Sequence, residues 1–96
     1  MPEESDIPDQ PVVIPITGEL DLHAFQPREL GTLLPDYFEE CRRAGILTVR
    51  VVHGKGTGAL RTSVHALLQR LPGIQGWTWP LDATSGGWGA TLVRLA

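Results

Sequence analysis

The sequence has one cysteine, Cys41, which excludes an internal disulfide and a multi-cysteine zinc site. No apolar run approaches the ~18 residues that a membrane helix needs. The N-terminus, Met1-Pro2-Glu3-Glu4, lacks the basic residues of a secretory leader. Lysine is nearly absent too, with Lys55 as its one instance. What remains is ordinary: 96 residues, 42% of them hydrophobic and 20% charged, the profile of one soluble globular domain. A cytoplasmic location fits these absences.

Charge is unevenly spread. Residues 1–10 carry four acids and no base, and residues 11–41 carry six acids against Arg28 alone. Residues 42–96 reverse this with seven bases and one acid, Asp82, leaving a net charge of −3. The bulk sign disfavours non-specific nucleic-acid binding, yet the C-terminal half is basic enough to meet phosphates.

Residues 1–17 read as an acidic, flexible N-terminal arm and 18–96 as the folded domain. In the arm, Val12, Val13, Ile14 and Ile16 alternate with Pro11 and Pro15, so an edge or coil is expected there instead of a central strand. Glu19-Leu20-Asp21-Leu22-His23 alternates with period two, a half-buried strand with Asp21 and His23 on one face. From 27 to 44, apolar residues fall three and four apart, an amphipathic helix opened by Pro27 and stopped by Gly45. Pro35 inside that stretch predicts a kink or two short helices. Strands are expected at 48–52, 74–81 and 90–95, and a second helix with Leu60, Val64, Leu67, Leu68 and Leu71 inward, ending at Pro72-Gly73. The fold class is therefore α/β, an α+β sandwich ordered strand-helix-strand-helix-strand-strand on a mixed four-stranded sheet. Two crossover helices imply that the first three strands run parallel by right-handed crossovers, the fourth returning antiparallel from a hairpin. Parallel strands would place the loops after His23, after His53 and at 82–89 on one edge, where open sheets bind ligands.

His53-Gly54-Lys55-Gly56-Thr57-Gly58 lies between strand and helix. Its glycines read equally as a tight turn or as an anion cradle at a helix N-terminus. It fails the Walker pattern because Gly56, not Ser or Thr, follows Lys55. Gly54, Gly56 and Ala59 fit a loose dinucleotide fingerprint, but no acid stands between Glu40 and Asp82 to hold a ribose. Asp21 and His23 form either an ordinary polar face or a carboxylate–imidazole pair suited to proton transfer, and His53 and Lys55 at neighbouring strand ends favour the second. His65 reads as a helix-surface or packed residue and Cys41 as core. Trp77 and Trp79 either cover one sheet face or stack bases, while Trp88, in a glycine loop, is the exposed one. No G-x-S-x-G elbow supports acyl chemistry.

Three segments now stand in order: Leu20-Asp21-Leu22-His23, the glycine loop from His53 to Gly58, and Gly86-Gly87-Trp88-Gly89-Ala90-Thr91. Together they resemble the Smr (small MutS-related) domain, whose fold is similar to the C-terminal domain of bacterial translation initiation factor 3. Ala24 stands where the family's first motif usually continues with glycine. The resemblance implies a nucleic-acid phosphodiesterase that nicks DNA or cleaves RNA, with Asp21, His23 and His53 at the active site. The alternative is a non-catalytic nucleic-acid-binding module. Phosphate or nucleic-acid contacts are expected at Gly54, Lys55, Gly56, Gly58 and Arg61, and at Gly87, Trp88 and Gly89 of the third segment. The implied partner is DNA or RNA, within a larger repair or ribosome-associated assembly and away from membranes. No cofactor is expected, except Mg²⁺ or Mn²⁺ if the substrate is DNA.

Overall fold

Period-two alternation sets the first strand, β1 (Glu19–Asp21), with Leu20 buried between exposed Glu19 and Asp21. The computed structural model describes residues 14–56 and 58–96, so Val12, Val13 and the rest of the arm before Ile14 lie outside it. Ile14 and Ile16 form no strand and pack partly against the core. Beyond Asp21 the ladder continues for one bond, Leu22 N–H to the Val52 carbonyl at 2.9 Å, before the chain turns at His23.

A 3₁₀ turn at Pro27–Glu29 leads into helix α1 (Leu30–Arg43). The chain does not split into two short helices at Pro35: one helix of 14 residues runs through it. Proline removes one bond, the one its N–H would make to the carbonyl four residues back, on Gly31. Gly31 is exposed, so water can reach that carbonyl and the loss is small. Leu30, Leu34, Tyr37, Phe38 and Cys41 make the buried stripe. Tyr37 also pins the start of β1: its hydroxyl donates to the Glu19 carbonyl at 3.2 Å and accepts from the Gly18 N–H at 3.3 Å.

Strand β2 (Thr48–Val52) buries Val49 and Val51, and helix α2 (Ala59–Leu68) buries Val64 and Leu68. Strand β3 (Ile74–Thr78) ends earlier than the expected Leu81, while β4 occupies Ala90–Leu95. The sheet order is β1-β2-β4-β3. β1 and β2 pair parallel, and β4 pairs antiparallel with both β2 and β3. β1, β2 and β3 therefore point the same way, and the loops that follow them share one edge. Both helices contribute to a single core with Leu20, Leu22, Val49, Val51, Val93 and Leu95. Among the described residues, no helix is long and apolar enough to cross a membrane.

Candidate functional site

Asp21 leaves the sheet on the face opposite buried Leu20, and two residues later the chain turns. Its carboxylate Oδ1 accepts from the His23 backbone N–H at 2.9 Å and lies 3.3 Å from the His23 ring Nδ1. A carboxylate only accepts, so Nδ1 carries a hydrogen, and in the neutral ring Nε2 is the nitrogen without one. The His23 side chain is 82% exposed, and so open pairing adds little stability; its effect is to orient the ring. Ala24 fits this turn without glycine, since no described residue other than glycine adopts a positive φ.

The glycine loop follows β2. Gly54 and Gly58 take φ of +81° and +87°, a left-handed conformation that side chains disfavour, so these two are required by the backbone. Gly56 has a negative φ and open space around it. His53 and Gly54 both donate their N–H groups to the Gly89 carbonyl, each at 2.9 Å, which ties the loop to the turn before β4. Lys55 is exposed, and its stem lies close enough to Gly89 that a side chain there would press on it. His23, His53, Gly56 and Gly58 line one cleft of about 350 Å³ with Pro27, Ala59 and Leu60 at the start of α2. Asp21 is outside that cleft, in a neighbouring hollow with Ile14 and Phe25, and reaches it only through His23.

His53 differs from His23. It is 6% exposed, its Nδ1 donates to the Gly54 carbonyl at 3.2 Å, and its Nε2 lies 2.9 Å from the Thr91 hydroxyl. That hydroxyl also lies 2.8 Å from His65 Nε2. His65 is packed as expected, stacked on Trp77 at 4.4 Å, but its bond to Thr91 is not visible in helical spacing. The signal is Thr91 itself: a polar residue at an inward strand position, paired across the sheet with buried Val51, needs a buried partner.

Burial pushes the pKa of His53 down, with Arg61 adding to this and the Gly54 carbonyl opposing it. Burial also lowers that of His65, helped by His53 and Arg61. The groups facing this pair are Arg61 from α2 and His23 across the cleft, whereas Trp77 and Trp79 bring uncharged rings. Both histidines hold folded values below the unfolded 6.5, so the unfolded chain takes up protons first on acidification. Their neutral state therefore stabilises the fold fully above about pH 6.5, and that contribution is lost as pH falls towards the lowered folded values. The slope stays below the ~1.4 kcal/mol per pH unit that each fully excluded proton would give. Thermal melts followed by circular dichroism should show a lower Tm at about pH 5.5 than at about pH 7.5. An unchanged or higher Tm would refute this account.

The 82–89 loop is more ordered than its turn-rich sequence indicates. Asp82 accepts from the Thr84 hydroxyl at 2.8 Å and the Ser85 N–H at 2.9 Å, bonds that lower its pKa. Arg50 donates to the Ser85 carbonyl at 2.7 Å while paired with Glu19 at 2.8 Å. Gly87 is buried and bonds back to the Asp82 carbonyl at 2.8 Å. Trp88 projects with 58% of its surface exposed, edge-on to Trp79 at 4.9 Å. Arg61 lies over the Trp79 ring at 4.7 Å, so a cation and two indoles stand beside the loop edge.

The domain that carries these residues has counterparts. The sequence model of the Smr domain matches residues 20–96. The chain belongs to the Smr domain family. This Smr domain is 39% identical over 80 residues to Endonuclease MutS2 of Thermomicrobium roseum and 38% identical over 79 residues to that of Lactobacillus johnsonii. The matches cover 83% and 82% of this chain but a tenth of each relative's length. The crystal structure of the Smr domain of Thermus thermophilus MutS2 superposes with a TM-score of 0.76 at 34% identity, covering 83% of this chain and 99% of that one. YdaL, a stand-alone small MutS-related protein from Escherichia coli, shares the fold with a TM-score of 0.72 at 24% identity, covering 81% and 63%. The mixed four-stranded sheet with two helices is thus the Smr fold.

Proposed function

We propose that this Smr domain is a nucleic-acid phosphodiesterase working at the cleft between His23 and the glycine loop. The observation that carries the reading is the Asp21–His23 pair, 3.3 Å apart, with its open ring on a cleft shared with Gly56, Gly58 and the start of α2. His23 Nε2 takes the proton from the attacking hydroxyl, and Asp21 steadies the imidazolium that results. The loop and the Lys55 ammonium counter the charge that gathers on the phosphate. With RNA the 2′-oxygen bonds to phosphorus as the P–O5′ bond breaks, the 5′-oxygen leaves with a proton from water, and a 2′,3′-cyclic phosphate remains, a step that needs no metal.

Among the described residues, no three His, Cys, Asp or Glu gather to hold a cation. One exposed carboxylate is a poor Mg²⁺ or Mn²⁺ site, so we assign no metal role here. Incubation with labelled RNA and DNA, with and without EDTA, tests the reading. RNA cleavage that survives EDTA supports it, while cleavage that EDTA abolishes defeats the metal-free step.

One observation favours a second reading, a binding module that does not cut. Both ring nitrogens of His53 are engaged within the protein, whereas His23, the other imidazole lining the cleft, pairs through Nδ1 with Asp21. Binding of the whole substrate panel without cleavage would select this alternative.

Lys55→Ala separates contact from chemistry in either case. An ammonium on a glycine loop meets phosphates, not base edges. The variant should weaken binding about equally for all sequences and lower the salt slope by roughly one phosphate contact in a titration against salt. A sequence-dependent loss would remove Lys55 from this role.

A further inference from the structure

The buried polar groups behind the cleft form a chain with one consistent direction. The Gly54 carbonyl only accepts, so His53 Nδ1, 3.2 Å away, carries a hydrogen. Neutral His53 then has a bare Nε2, which must accept from the Thr91 hydroxyl at 2.9 Å. With its hydrogen so used, the Thr91 oxygen accepts from His65 Nε2 at 2.8 Å. The ring of His65 is held for this by stacking on Trp77 at 4.4 Å and by Trp79 edge-on at 5.1 Å. Thr91 has no exposed surface, so water cannot replace either bond. The chain therefore runs from His65 through Thr91 and His53 to the carbonyl of Gly54, the first glycine of the loop.

We infer that Thr91 and His65 are positioning residues that act through His53 to hold the glycine loop in its phosphate-receiving shape. The phosphate in this inference rests on the proposed function; the hydrogen-bond chain does not. A proton added to His53 turns Nε2 into a donor, and the Thr91 hydrogen then has no acceptor unless His65 moves its own proton from Nε2 to Nδ1. The loop is thus held while His53 is neutral. The chain also accounts for both ring nitrogens of a cleft-lining histidine being bonded within the protein.

The test uses the full chain with ¹⁵N-labelled histidine, alongside Thr91→Val, which removes the hydroxyl at nearly equal shape, and Thr91→Ser, which keeps it. Long-range ¹⁵N–¹H spectra of the unaltered protein at about pH 7.5 should show His53 protonated on Nδ1 and His65 on Nε2. In Thr91→Val, amide exchange at His53 and Gly54 should quicken about tenfold, the scale of one lost buried hydrogen bond. KM for a short single-stranded RNA should rise about three- to tenfold with kcat little changed, and Thr91→Ser should keep unaltered values. The opposite tautomers in the unaltered protein, or equal exchange in Thr91→Val with its fold intact, would overturn the inference. A kcat loss without a KM change would do the same, since it would mark a direct role in chemistry. If the unaltered protein binds neither RNA nor DNA, the functional reading falls while tautomer and exchange still decide the chain.

Discussion

His23→Ala is expected to slow cleavage by about 10²–10⁴-fold, the usual loss on removing a general acid or base, and to leave binding within about twofold. The separation follows from what the ring touches. Its described partner is Asp21 Oδ1, and the backbone N–H bond of residue 23 to that same oxygen does not need the side chain. At 82% exposure the imidazole also buries little, so its removal costs the core nothing measurable. The glycine loop is held by the Gly89 carbonyl and by the Thr62 N–H to Gly58 carbonyl bond at the start of α2, bonds that do not involve the His23 side chain, so it should survive the substitution. Circular dichroism should confirm the fold, because Leu20 and Leu22 lie in the core beside the turn. Single-turnover cleavage and equilibrium binding on one RNA substrate make the comparison. Binding lost together with cleavage, or cleavage retained, would show that the ring is not the proton acceptor.

The fold is legible in the sequence wherever the pattern is local. Ala90–Leu95 and Thr48–Val52 stand where β-branched alternation places them, and Gly45 follows the first helix as expected, whereas the second helix ends at Leu68, short of the expected stop at Pro72-Gly73. Parallel β1, β2 and β3 follow from two helical crossovers, and with them the shared edge that carries His23, His53 and the 82–89 loop. The turn at His23 is also local: a two-residue spacing sets its ring beside Asp21, where the structure has it.

What depends on pairing across the sheet is not legible. β4 slots between β2 and β3, which sets Thr91 opposite Val51 and brings its hydroxyl under His65 from a helix 26 residues earlier. Nothing in the helical period of residues 59–68 signals that bond. His53 looks from its strand end like a group facing the loop edge, and its burial appears only once α2 and β4 cover it. Pro35 misleads for another reason. The rule about interior prolines counts a lost bond as costly, but here the orphaned carbonyl is on exposed Gly31.

Phe38→Ala should remove a large share of the stability of the domain. Phe38 is 1% exposed, on the stripe of α1 that meets the sheet, with buried Leu34 and Cys41 one turn to either side. Truncating a buried phenylalanine costs about 3–5 kcal/mol, the transfer of the ring plus the cavity left behind. A domain of this size is stable by only about 5–14 kcal/mol at 0.05–0.15 kcal/mol per residue, so the loss is a large share. With about 4–8 °C per kcal/mol for a domain near this length, Tm should fall by at least about 12 °C. Relaxation cannot erase the cost, because the stripe is fixed by helical spacing and the sheet below it by ladder bonds that cannot move inward. Phe38→Leu, which keeps most of the volume, should cost far less and serves as the control. Nucleic-acid binding should fade in Phe38→Ala only as the protein melts, with affinity at low temperature near that of the parent, since the ring lies in the core and outside the residues lining the cleft. A drop in Tm of a few degrees would mean that the core closes over the gap and that α1 is less firmly seated than its buried stripe implies.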